Sequence, residues 1–203
     1  MPTATILSHL GLFVRREFLS AESCRLIRGE MASAGRVRAR IRPQGQSRDV
    51  LDEAVRRTGV AQVSASSIAL VEDRLRTIKP ILEGHFLVQL AGWERPQFCI
   101  YEEGDFFRVH LDRGDDPDAP DYVRARRVSV SILLNDERGG LDGQGHRGGA
   151  LVFHGARGDR RGTGFEIPLE GEEGMFVGFP SDWAHEVRPV TSGRRYSIVT
   201  WFF

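Results

Sequence analysis

The apolar positions of the chain change their period near its middle. In "FLSAESCRLIRGEMASAG", Cys24, Ile27 and Met31 recur on one face of a 3.6-residue spiral. Ser20 stands where an N-cap belongs and Gly35 closes the run, so the spacing predicts a helix. A polar segment containing Pro43 follows. "SSIALVEDRLRTIKPILEGHF" then sets Ile68, Val71, Leu75, Ile78, Leu82 and Phe86 at helical spacing. A kink is expected at Pro80, which lacks a backbone donor.

From Gln97 onward the apolar runs shorten and are broken by Gly, Asp and Pro, as strands are. They read "QFCIYEE", "FFRVHLD", "RRVSVSILLND", "GGALVFHG", "GFEIPLE", "GMFVGFP", "AHEVRPV" and "RRYSIVTWFF". The last is apolar on both faces, with Val199 and Trp201 on one and Ile198, Thr200 and Phe202 on the other, so it needs cover on both sides. About eight short strands with no helical pattern between them predict a mainly β fold, an antiparallel sandwich or jelly roll. The amphipathic helices would flank one sheet. No repeat or linker interrupts the 203 residues. One domain over 1–203 is therefore expected, with 1–96 as mostly helical support and 97–203 as the β core.

Charge and cysteine content narrow the partners. Lys+Arg and Asp+Glu are both 28, so no global field favours nucleic acid or an anionic membrane. Lys79 is the only lysine, an arginine bias that genome base composition explains as well as any binding role. Cys24 and Cys99 form no CxxC and fit a reducing compartment. In "ILSHLGLFVRR" the arginines follow the apolar run, the reverse of a secretory signal, and no run approaches membrane-spanning length. A cytoplasmic protein without a nucleic-acid or membrane partner is expected; nothing in the pattern bears on oligomeric state.

The candidate chemistry starts at "FFRVHLDRGDD". On an extended strand, residues i and i+2 point the same way, so His110 and Asp112 can bind one metal together. A mononuclear iron site uses two neutral imidazoles and one carboxylate on one face of the ion and leaves the remaining positions open. The second imidazole must come from elsewhere, and the candidates are His146, His154 and His185, with His9 and His85 in the helical half. His185 is followed by "EVRPVTSGRRYS", in which Arg195 and Ser197 share a strand face. A guanidinium fork can hold a carboxylate with two parallel hydrogen bonds, and a hydroxyl adds a third. His146 lies in the Gly-rich "GGLDGQGHRGG" and His154 ends a strand without such a partner; both read as surface or structural residues. Arg108 shares the face of His110 and is a candidate to enter the cavity, whereas Cys99 reads as a small core residue.

Taken in order, "YEEGDFFRVHLD", "RRVSVSILLND", "GGALVF" and "GFPSDWAHEVRPVTSGRRYSIVTWFF" resemble the iron(II)- and 2-oxoglutarate-dependent dioxygenases, in particular the prolyl 4-hydroxylase-like branch. The resemblance covers Gln97 to Phe203. It implies a double-stranded β-helix, a jelly roll backed by N-terminal α-helices. It implies His110, Asp112 and His185 as catalytic metal ligands and Arg195 as the 2-oxoglutarate anchor, with Ser197 and Tyr101 beside it. Some relatives carry a second tyrosine where this chain has Leu133; Ser129 and Ser131 share that strand face, so the hydroxyl of either is a candidate for that cosubstrate contact, Ser131 among the implied cosubstrate residues. The implied cofactors are iron(II), 2-oxoglutarate as cosubstrate and O2, with ascorbate as a reductant. The implied reaction hydroxylates an unactivated C–H bond of an amino acid, peptide or protein residue, such as proline or a basic residue, and releases succinate and CO2.

Two other readings compete. A cupin-like jelly roll acting as an isomerase or ligand-binding protein also uses strand histidines, but it has no use for the Arg195–Ser197 pair. A hydrolytic zinc enzyme would need HExxH or an equivalent, which is absent. Finally, "RGDDPDAPDYVRARR" crowds Asp115, Asp116, Asp118 and Asp121 around Pro117 and Pro120. Such a run cannot be a central strand; it predicts a loop at the metal's edge, either simply solvated or a lid favouring a cationic substrate.

Overall fold

The computed structural model describes residues 10–40, 50–113, 117, 119–137, 145–155 and 164–203. Fourteen strands and three helices are assigned among them. In chain order they are β1 (Phe13–Arg15), α1 (Ala21–Ser33), β2 (Arg36–Arg38), β3 (Arg56–Arg57), β4 (Gly59–Ala61), α2 (Ala65–Phe86), β5 (Gln97–Tyr101) and β6 (Phe106–His110). There follow α3 (Asp121–Ala125), β7 (Val128–Leu133), β8 (His146–Gly148), β9 (Leu151–His154), β10 (Glu166–Leu169), β11 (Phe176–Pro180), β12 (His185–Val187), β13 (Val190–Gly193) and β14 (Arg195–Phe202).

The strands form a major sheet in the order β1-β11-β7-β14-β5-β4-β2 and a minor sheet in the order β10-β9-β12-β6-β3, with a separate β13-β8 ribbon. Every strand pair is antiparallel. This is the jelly roll that the strand pattern predicts.

Period-two alternation divides the major sheet between two cores. Phe98 and Ile100 of β5, Val128, Val130 and Ile132 of β7, and Ile198 and Phe202 of β14 join one cluster with Cys24, Ile27 and Met31 of α1 and Val71, Leu75, Ile78 and Leu82 of α2. Both helices therefore back this sheet. The intervening residues Cys99, Tyr101, Leu133, Val177 and Phe179 face the other way and meet Leu151, Phe153, Ile167 and Val187 of the minor sheet. Both apolar faces of β14 are thereby covered.

The helices begin as their sequences predict. The Ser20 hydroxyl accepts from the Ser23 N–H, and Ser64 caps α2 in the same way through Ser67. Helix α2 runs on through Pro80 to Phe86. The helical first half also supplies strands that hydrophobic period does not reveal. β1 extends the major sheet at one end, β4 and β2 at the other, and β3 closes an edge of the minor sheet. They are two or three residues long, too short for an alternation to register. The expectations for His9, for the segment around Pro43 and for Asp115, Asp116 and Asp118 lie outside the described residues.

Candidate active site

Neighbouring strands of the minor sheet bring His110 and His185 together. His110 ends β6, His185 begins β12, and the two are Cα partners across the strand pair. Their ring centroids are 4.2 Å apart. Asp112 sits just beyond β6 and faces both: its Oδ1 is 3.6 Å from Nε2 of His110 and its Oδ2 is 3.4 Å from Nε2 of His185. One ligand atom from each of the three residues lies within 4.8 Å of the others, so a single metal ion can be held among them.

Hydrogen bonds set the imidazoles for that task. Nδ1 of His110 is 2.8 Å from the carbonyl of Arg108, and Nδ1 of His185 is 2.9 Å from the carbonyl of Trp183. A carbonyl only accepts, so each Nδ1 carries the hydrogen and each Nε2 presents a lone pair to the shared space, as the backing of a metal-ligand histidine requires. Burial, and then the neighbouring His110, push His185 down to about 4, so it is neutral near neutral pH. Burial alone would raise the Asp112 carboxyl, but His185, His110 and Arg126 outweigh it and hold it below the usual carboxylate range. Imidazoles turned with Nε2 inward beside an ionised carboxylate are what an iron(II) site needs, so the residues fit the ion.

Rigid neighbours keep the rings in place. Phe107 stacks on His110 with centroids 3.5 Å apart, and the edge of Phe179 meets His185 at 4.6 Å. Trp183, whose carbonyl orients His185, is buried and donates its own indole N–H towards the carbonyls of His154 and Gly155.

A cavity leads from this cluster between the sheets to Arg195, and Tyr101, Ser131 and Ser197 also line it. Arg195 is 2% exposed and donates from Nη1 to the Ser197 hydroxyl at 2.9 Å. Its guanidinium lies 5.2 Å from the Tyr101 ring centre. Burial raises the Tyr101 phenol, against the pull of Arg56 and Arg195, and so keeps it a proton donor. Arg194 points the other way and pairs with Glu102 at the surface. Ser129 donates to the Ser181 hydroxyl and is not among the cavity residues, whereas Ser131 is.

Two residues that sequence reasoning passed over support Arg195. The Asn135 side chain donates to the carbonyl of Arg194 and accepts from the N–H of Tyr196, bracketing the arginine's backbone on both sides. Gly149 (φ +73°) leaves room for the Arg195 side chain: a Cβ there would come within 2.9 Å of its Cδ. An Asn two residues after a strand and a Gly in a Gly-rich loop carry no sequence signal of such roles.

Several candidates lie elsewhere. Arg108 is exposed and donates to the carbonyl of Ala54 instead of entering the cavity. The cause is a bulge: β6 takes three steps from Phe107 to His110 while β12 takes two from Val187 to His185, which breaks the alternation. His85 packs edge-on to Phe13 on α2. His146 is buried on β8, with burial and then Arg195 pushing it down to about 4. His154 forms a second cluster with Glu166 and Glu186, whose carboxylates both pair with Arg188. Asp121 opens α3 and pairs with Arg124.

Beyond the metal-ligand cluster the cavity opens into a mouth lined by Glu94, Phe107, Tyr122, Arg126 and Trp201. Arg126 binds both oxygens of Glu94, at 2.5 and 2.8 Å, and lies 3.8 Å over the Trp201 ring centre. Its Nη1 donates to the carbonyl of Asp112 at 3.2 Å.

Residues 96–203 match the sequence model of the 2OG-Fe(II) oxygenase superfamily. The chain is 29% identical over 109 residues to a PKHD-type hydroxylase of Alteromonas mediterranea and 31% identical over 108 residues to another from a Psychrobacter species, each match covering 52% of this chain. It spans only 42% and 36% of those two relatives. The fold is that of a Pseudomonas putida prolyl-4-hydroxylase, with a TM-score of 0.69, 23% identity, and coverage of 98% of this chain and 95% of that one. It is also that of a Trichoplax adhaerens prolyl hydroxylase solved with a hypoxia inducible factor peptide, with a TM-score of 0.73, 16% identity, and coverage of 98% and 86%. Among the described residues no helix is long and apolar enough to cross a membrane.

Proposed function

Because the chain belongs to the 2OG-Fe(II) oxygenase superfamily, we propose that it is an iron(II)- and 2-oxoglutarate-dependent dioxygenase that hydroxylates an unactivated C–H bond of an amino acid, peptide or protein residue. One observation carries the reading: the His110, Asp112 and His185 donors converge at one end of a cavity whose far end holds the buried Arg195–Ser197 pair.

In this reading His110, Asp112 and His185 hold the iron. With 2-oxoglutarate, O2 and the metal bound, the chemistry supplied is R–H + 2-oxoglutarate + O2 → R–OH + succinate + CO2, with ascorbate as a supporting reductant. The protein's part is placement. Arg195 and Ser197 clamp the cosubstrate's distal carboxylate through charge-assisted hydrogen bonds. Tyr101 and Ser131 offer hydroxyls along the cavity, and Ser131 takes the side where some relatives carry a tyrosine and this chain has Leu133. Phe179 and Val187 keep the wall apolar and exclude water. The likeness to PKHD-type and prolyl hydroxylases supports a carbon-hydroxylating branch. The Arg195–Ser197 pair speaks against a cupin-like isomerase, which needs no dicarboxylate clamp.

The test is purified protein incubated with iron(II), 2-oxoglutarate and ascorbate in air, with a panel of amino acids and peptides. Succinate formation together with a +16 mass product is expected. Failure to bind 2-oxoglutarate or to form succinate under any condition would sink the reading.

A further inference from the structure

Arg56 is a buried cation that no carboxylate among the described residues answers. It is 7% exposed. It stands on β3 opposite Phe107 and lines both the cosubstrate cavity and the mouth. Its Nη2 reaches the Sγ of Cys99 at 3.6 Å, a weak acceptor, and its Nε is buried with no acceptor among the described residues. Its guanidinium lies 4.7 Å from the Phe107 ring centre. The neighbouring mouth arginine is differently placed, since Arg126 has Glu94.

A guanidinium offers five N–H donors in a planar fork, and burying its charge without a counter-ion is costly. One phenyl face returns only part of that cost. The missing partner is an anion that arrives with a ligand, and a planar fork selects a planar two-oxygen group. We propose that Arg56 binds a free carboxylate of the prime substrate, so that the enzyme acts on an amino acid or related small acid rather than on an internal residue of a polypeptide. This rests on the oxygenase reading above. The cosubstrate's carboxylate at the closed end already has Arg195 and Ser197, and its other end belongs with the metal ligands. Arg56 instead sits where the cavity meets the mouth. Phe107 lies beneath it and stacks on His110, so an anion held there lies beside the metal-binding cluster, on the side from which a substrate enters.

The test loads the protein with manganese(II) and 2-oxoglutarate without oxygen and measures binding of the standard L-amino acids and of their carboxamides. Succinate formation in air with iron(II) is followed in parallel. At least one free acid should bind, with its amide at least about tenfold weaker, the size of one charge-assisted contact. Arg56→Met should weaken that acid by a similar factor and erase the acid–amide difference, while the Kd for 2-oxoglutarate moves by less than about threefold. Arg195→Met should show the reverse pattern. Arg56→Lys, which keeps the charge and loses the fork, should also lose the acid, and it serves if Arg56→Met fails to fold. Without ligands, Arg56→Met should melt no lower than the wild type, because it removes an unpaired buried charge.

Equal loss of 2-oxoglutarate from Arg56→Met and Arg195→Met would overturn the proposal and give Arg56 to the cosubstrate. So would equal binding of acid and amide, or no binding of any acid. In each of these cases 2-oxoglutarate binding and succinate formation by the wild type would leave the oxygenase reading standing; their absence would remove both.

Discussion

The Asp112 carboxylate reaches within 3.4 Å of the His185 imidazole although one residue follows β6 and the other opens β12, far apart in the chain. With His110 they bring one donor atom each to a common point, a set that can hold a metal ion. His110→Ala and Asp112→Ala should each abolish stoichiometric iron(II) binding and succinate formation. The circular dichroism spectrum should stay native, since both residues lie at or beyond a strand end rather than in either apolar cluster. Metal analysis and succinate assay check this. Near-normal turnover by either variant would refute the ligand assignment.

Arg195 and Arg194 are adjacent yet face opposite sides of β14, one buried against Ser197 and one at the surface with Glu102. Arg195→Ala should weaken 2-oxoglutarate binding by tens- to hundreds-fold, because a charge-assisted bidentate contact contributes about 2–3 kcal/mol. Arg194→Ala should change it little. Asn135→Ala should fall between them, since it frees the backbone on both sides of Arg195 without removing the charge. Calorimetric titration of 2-oxoglutarate distinguishes the three, and equal effects of the two arginines would contradict the strand register.

These contrasts mark what was legible in the sequence. His110 and Asp112 could be paired from strand geometry alone, and the shared face of Arg195 and Ser197 followed from the period of β14, because both are short-range consequences of extended backbone. The jelly roll was legible from the number and shortness of the strands. Arg108 was not: a bulge in β6 moves it off the face that simple alternation assigns, and a bulge has no side-chain signature. Arg56 was hidden for a related reason. Its strand is two residues long, and only the pairing of β3 with β6 brings it beside Phe107.

Cys24 gives a pH test of the helix–sheet core. Burial, followed by the nearby Glu173, pushes its thiol up from 9.0 to about 12, with Arg28 pulling the other way. A thiol whose folded value is raised favours the folded state fully below its unfolded value, and that contribution is lost as pH rises from about 9 towards 12. The urea midpoint should therefore fall with pH across this window. Cys99, also raised by burial, acts in the same direction. Replacing both cysteines with Ala should flatten this alkaline limb while lowering stability at pH 7 through lost packing. Below pH 9 neither thiol of the native protein should react with iodoacetamide, and rapid labelling at pH 8 would show that the core opens.

Arg126 joins three parts of the mouth at once. It takes both oxygens of Glu94, covers the face of Trp201 and donates to the carbonyl of Asp112. A lysine keeps the charge but is a point donor, so it can satisfy one of these partners and not all three. Arg126→Lys should thus leave Asp112 ionised yet less firmly aimed. Loss of an outer partner of a metal ligand commonly costs about 10–100-fold in metal affinity, and Arg126→Lys should fall near the lower end of that range. Arg126→Ala should fall near the upper end, because it also strands the half-buried Glu94 carboxylate beside the site. Competitive titration of manganese(II) measures both values directly, independent of substrate. If the two variants bound the metal as tightly as the wild type, Arg126 would be a wall of the mouth and nothing more.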